Sequence, residues 1–198
     1  MSDLLTLLQL IKKMGHNEVD NYVLPGLTSS LIGGFGHGKV RLFSAERETR
    51  EWVIPHSHRF DFGCLVLHGE VENILFERGA GQVYAETTIR HRPNSPFGTY
   101  DVERGDETFR YAEKSTRYGV GQVYCMTANQ IHSIRFGQTA RVLFFEGPEV
   151  SDTSVVLEPW CGGKAVPTFE TASWMFQRRH EELRSAEASG DQQDSREK

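Results

Sequence analysis

The chain has 198 residues and a mass of 22.5 kDa, which suits one domain with appendages. Hydrophobic residues make up 38% and aromatics 11%, which excludes a chain that is disordered throughout. Lys and Arg total 22 against 27 Asp and Glu, a formal net charge of −5 with no basic block, so nucleic acid and anionic membrane are not expected as main partners.

At the N-terminus, residues 3–14 read as a helix. Leu4, Leu7, Leu8, Ile11 and Met14 fall on one stripe, Ser2 or Asp3 can cap its start, and Gly15 can end it. The apolar run lacks a basic leading region and a small-residue cleavage site, and it is far shorter than the ~20 residues of a membrane span. Such a helix is expected to cover the outer face of a sheet. Three cysteines, Cys64, Cys125 and Cys161, include no CxxC pair, which points to a reducing cytoplasm rather than a disulfide framework.

From Leu31 to about Pro159 the pattern changes to short strands between turn signals. The expected strands are Lys39–Ser44, Glu51–Ile54, Phe62–His68, Val71–Glu77, Gln82–Arg90, Thr108–Lys114, Gly121–Met126, His132–Phe136 and Arg141–Glu146. Residues 91–107, with two Pro and two Gly, read as a long loop excursion with a short strand near Tyr100. Residues 171–184 look helical, and the polar tail after them reads as disordered. The expected organisation is an N-terminal helix and arm over 1–30, an all-β barrel or sandwich over 31–160, and a C-terminal helix and tail over 161–198.

One glycine-rich stretch, Gly33-Gly34-Phe35-Gly36-His37-Gly38-Lys39, nearly spells a phosphate-binding loop. That chemistry needs Ser or Thr after the Lys and a helix whose amides face the phosphates. Here Val40 follows and Val-Arg-Leu-Phe reads as a strand, so the stretch is a turn into the sheet.

The segment Pro55-His56-Ser57-His58 carries more chemistry. In an extended chain His56 and His58 point to the same face about 7 Å apart, and two neutral imidazoles on one face can meet one metal ion. Alone, HxH also describes two surface histidines on an edge strand. An apolar strand then leads to Gly69, and later Gly121 to His132 gives strand, polar turn and a histidine heading another strand.

In these two stretches the chain resembles the cupin superfamily. The family's first motif is HxH, three or four residues, Glu, six more and Gly; its second is Gly, a turn and His. His56, His58 and Gly69 match the first, and Gly121 and His132 the second. The leading Gly is Arg50 here, the motif Glu falls on Phe62, the turn's Pro and Gly are Thr127 and Asn129, and the closing Asn is Phe136. What survives is a three-histidine set, which resembles the thiol dioxygenases, cupins that hold ferrous iron with three His. The resemblance implies a double-stranded β-helix, or jelly-roll barrel, with His56, His58 and His132 on one divalent ion. Fe(II) is implied first, and Zn or Ni also suit three imidazoles. A homodimer is plausible in such barrels. The family's late-strand Tyr position is matched by Glu146, and Arg41 is a loose match for its substrate-carboxylate Arg.

Other residues get plainer readings. His68 reads as a strand-end side chain, and His16, His37, His91 and His180 as solvent-facing. Cys64 reads as a small buried hydrophobe that could line the pocket. Tyr84, Tyr124 and Arg135 approach a pocket or not depending on parity. Glu146 shares a face with Val142 and Phe144, and either sits in water at the rim or reaches the cavity to act there. Three functions remain open: an iron-dependent dioxygenase of a small thiol or organic acid, with Glu146 as catalytic residue; a non-enzymatic metal- or metabolite-binding cupin; and a metal-independent sugar isomerase or epimerase.

Overall fold

Alternating apolar and polar residues, with many Val, Ile, Phe and Tyr, fit a pleated half-buried surface. A computed structural model of the chain describes residues 17–20, 22, 24–35, 38–46, 53–92, 100–161 and 164–165. Eleven strands form among them, and no helix: β1 (Asn17–Val19), β2 (Leu27–Phe35), β3 (Gly38–Ala45), β4 (Phe60–His68), β5 (Glu70–His91), β6 (Tyr100–Gly119), β7 (Val123–Met126), β8 (Ile131–Phe136), β9 (Arg141–Glu149), β10 (Thr153–Cys161) and β11 (Lys164–Ala165). The expected helices over 3–14 and 171–184, the polar tail, and His16, His37 and His180 lie outside the described residues.

All pairings are antiparallel. One sheet runs β1-β2-β3-β9-β4-β7, and the other β11-β10-β5-β6, with β8 also on β5. The long β5 is shared along one edge, where residues 71–76 pair with β8 and residues 84–90 with β10. The all-β expectation is met, with three changes. Asn17–Val19 and the start of β2 at Leu27 already belong to the six-stranded sheet. Residues 100–107 are part of β6 and not of a loop excursion, with His91 paired to Tyr100 and Ile89 to Val102. The strand expected over 51–54 is not formed at Val53 and Ile54, although Val53 N–H donates to the Ile134 carbonyl at 3.1 Å.

The sheets bury their facing sides. In β4, Phe60, Phe62, Cys64 and Val66 are buried while the residues between them are more exposed. In β9, Val142, Phe144 and Glu146 share the inward face, as their parity requires. Val142 and Phe144 pack with Val71, Ile134 and Phe136 from the second sheet. Each large side chain taken out of water here contributes about 1.5–3 kcal/mol. Gly69 turns β4 into β5 at φ +68°, a left-handed conformation that glycine adopts without a Cβ penalty. No helix of the described residues is long and apolar enough to cross a membrane.

Candidate metal centre

His56 sits in an extended segment that slots between β8 and β10. His56 and His132 exchange both backbone hydrogen bonds at 2.9 Å, while Ser57 N–H donates to Val155 O at 2.8 Å and Leu157 N–H to Pro55 O at 2.9 Å. This double anchoring fixes the first histidine against the third. His58, two residues on, faces the same interior just before β4. The ring centroids lie 4.7 Å apart for His56 and His58, 5.1 Å for His56 and His132, and 5.2 Å for His58 and His132. One ring nitrogen from each lies within 4.8 Å of the others, and the Nε2 atoms of His58 and His132 are 3.0 Å apart.

The outer nitrogens of two rings are held. His56 Nδ1 lies 2.7 Å from the Ile54 carbonyl, and His132 Nδ1 lies 2.7 Å from Asn73 Oδ1. Oxygen of this kind only accepts, so each Nδ1 carries the proton and each Nε2 keeps its lone pair. Burial holds the His56 imidazole below its usual pKa, against the opposing Ile54 bond. Burial, and then the charge of His56, holds His132 well below it. Both rings are therefore neutral near pH 7, the form that ligates metal.

This donor set fits a divalent ion. At metal–nitrogen bonds of about 2.1 Å, two ligand atoms can be at most about 4.2 Å apart. A pair at the full 4.8 Å span would have to close by about 0.6 Å to share one ion. Two lone pairs 3.0 Å apart repel unless a proton or a cation lies between them. With His132 Nδ1–H given to Asn73, that proton must come from His58 Nε2, and a metal ion can take its place.

A cavity of about 150 Å³ opens beside the three rings, with a mostly apolar wall. Phe62 packs 4.7 Å from His58, 5.3 Å from His132 and 4.8 Å from Phe144, ring to ring. Arg41 and Glu146 also line the cavity, 3% and 5% exposed, with Arg41 Nε 3.9 Å from Glu146 Oε2. Arg41 Nη1 also donates to Ser29 Oγ at 3.4 Å, and its guanidinium lies 5.9 Å from the Tyr22 ring centre.

The structure thus brings together His56, His58 and His132, and puts Glu146 in the cavity wall rather than in water at the rim. Glu146 is outside the histidine cluster. It stands directly across from Phe62, the position where the resembled motif carries Glu. Cys64 is buried and lines the cavity too; burial pushes its thiol up to about 12. His91, expected in solvent, is buried and lines the same cavity, because it ends β5 instead of opening a loop. His68 is exposed at its strand end, 3.0 Å from the Thr139 carbonyl. Tyr84 packs in a separate cluster and Arg135 pairs with Glu72, so neither lines the cavity. Asn73 is a partner of the site that sequence reading passed over. Its signal was a lone amide among Val71, Asn73 and Leu75, at the inward parity of an apolar strand.

No protein-family model and no curated protein matches the chain. Among solved structures it is similar to KdgF from Halomonas sp., at 14% identity over 68% of this chain and 89% of that one, with a TM-score of 0.39. A cupin superfamily protein from Desulfitobacterium hafniense gives 15% identity, 62% and 78% coverage, and a TM-score of 0.35. Hydroxypropylphosphonic acid epoxidase from S. wedmorenis gives 7% identity, 66% and 54% coverage, and a TM-score of 0.39. At these values the similarity carries no argument about chemistry, which rests on the residues themselves.

Proposed function

We propose that the chain is a metal-dependent cupin in which His56, His58 and His132 hold one ion, and that it acts as an iron-dependent dioxygenase on a small thiol or organic acid. The observation that carries this reading is the convergence of three imidazole nitrogens, two of them turned inward by hydrogen bonds on the opposite ring atom. A ferrous ion on three neutral histidines supplies open positions at which dioxygen and a substrate can bind together. The rest is the work of the chain. Phe62 and Phe144 keep bulk water from the reacting groups, and a cavity of about 150 Å³ suits a small substrate. Arg41 offers N–H donors to a carboxylate, while Glu146 can accept from an amine or hydroxyl and so fix its orientation.

Two measurements test the proposal. Iron-loaded protein should consume dioxygen with a member of a panel of small thiols and organic acids, and no uptake with any of them would leave a binding protein instead. Glu146→Gln, which keeps shape and removes charge, should weaken metal binding or turnover at least about tenfold, or ~1.4 kcal/mol. Unchanged affinity and activity would confine Glu146 to holding Arg41.

A further inference from the structure

We infer that Asn73 is a positioning residue which, backed by Met126, selects the His132 tautomer able to bind metal. The inference rests on the three-histidine reading above. Asn73 is buried on the inward face of β5, 7% exposed, diagonally across from His132 in the β5–β8 ladder. Its Oδ1 is 2.7 Å from His132 Nδ1, and its Nδ2 is 3.7 Å from Met126 Sδ.

The chemistry of these three groups orders them. A thioether has no proton to give, so of the two ends of the amide only the NH₂ gains by facing Met126. That leaves Oδ1 facing His132, where it can only accept. Nδ1 must then be protonated, and Nε2, 3.0 Å from His58 Nε2, is left with its lone pair inward. Reversing the amide would present NH₂ to Nδ1, move the ring proton to Nε2 and close that nitrogen to any metal. His56 needs no such device, because a backbone carbonyl cannot turn over. His132 is therefore a ligand whose competence depends on a side chain, and Asn73 and Met126 together set it. Partners of this kind typically change metal affinity by about 10–100-fold.

The test uses the full chain labelled with ¹⁵N-histidine, read by long-range ¹H–¹⁵N spectra without metal and by Co(II) titration. In the wild type, His132 should show protonated Nδ1 and bare Nε2. Asn73→Leu should admit the other tautomer and weaken Co(II) binding by about 10–100-fold. Asn73→Asp, which still accepts from Nδ1–H, should restore both the tautomer and most of the affinity, a rescue that a purely packing role would not give. If Asn73→Leu does not fold, Met126→Leu removes the sulfur but keeps the volume; a mixed tautomer and several-fold weaker Co(II) binding are then expected. A bare Nδ1 in the wild type would overturn the inference. So would an unchanged tautomer and affinity in Asn73→Leu, or in Met126→Leu where that variant stands in for it. If wild-type protein bound no Co(II), the three-histidine reading would fail, while the metal-free tautomer spectra would still decide the role of Asn73.

Discussion

Replacing Glu146 with Gln perturbs the most highly charged part of the cavity wall. Glu146 and Arg41 are 5% and 3% exposed and their charged atoms are 3.9 Å apart. Two unit charges at this distance attract by about 4 kcal/mol at an effective dielectric constant of ~20. Removing one member of a buried pair costs about 3–5 kcal/mol, because the other is left as an uncompensated ion. Arg41 keeps its contact with Ser29 and its place over the Tyr22 ring, which offset part of that loss. Glu146→Gln should therefore lower unfolding stability by about 3 kcal/mol, the low end of that range. Arg41→Met leaves a buried carboxylate and should cost a similar amount. The double variant should lose much less than the two single losses added together, with a coupling energy of about 2 kcal/mol. Urea unfolding of the four proteins, with equal m-values, measures all three quantities. A loss below about 0.5 kcal/mol for Glu146→Gln, or strict additivity in the cycle, would refute a functioning buried ion pair.

Two other outcomes follow from the packing. Gly69→Ala should destabilise the fold by at least about 1–2 kcal/mol, since its φ of +68° is left-handed and a Cβ there would lie 2.9 Å from the Ala140 Cα; urea unfolding with no loss would mean the turn has another geometry. Native alkylation at pH 8, mapped by mass spectrometry, should modify exposed Cys125 and spare Cys64, whose thiol burial pushes up to about 12. Equal labelling of both would show that the cavity wall is open to reagent.

Much of this could be read from residue order, and the failures have physical causes. The strands β4 and β9 alternate cleanly, so parity grouped Phe62 with Cys64 and Glu146 with Phe144. His132, beside the buried Ser133 in β8, was instead found from its spacing to Gly121. The strand β2 was missed because its Ser-Ser and Gly-Gly pairs read as turn signals. In the structure Ser29 and Ser30 are buried, with their hydroxyls bonded to Arg41 and Glu18. Two expected strands proved to be the single β5, because Gly79-Ala80-Gly81 forms a bulge rather than a turn. Arg78 and Gln82 both pair with Tyr111, and Gly81 passes so close to the Tyr111 carbonyl that any Cβ would clash. His91 was misplaced for the same reason, since the end of β5 was taken for a loop. Arg41 could not be assigned from sequence because apolar neighbours occupy both faces of β3. Its burial depends on Glu146, more than a hundred residues away, and no local pattern carries that pairing.

The most direct test of the account is metal content and affinity in untagged protein carrying single histidine changes. Wild-type protein should bind close to one equivalent of a divalent first-row ion. His56→Ala, His58→Ala and His132→Ala should each lose most of the affinity, because the ion would be left with two imidazoles. His68→Ala, altered at an exposed strand end, should bind as the wild type does. Full metal occupancy in His132→Ala would contradict the three-histidine centre.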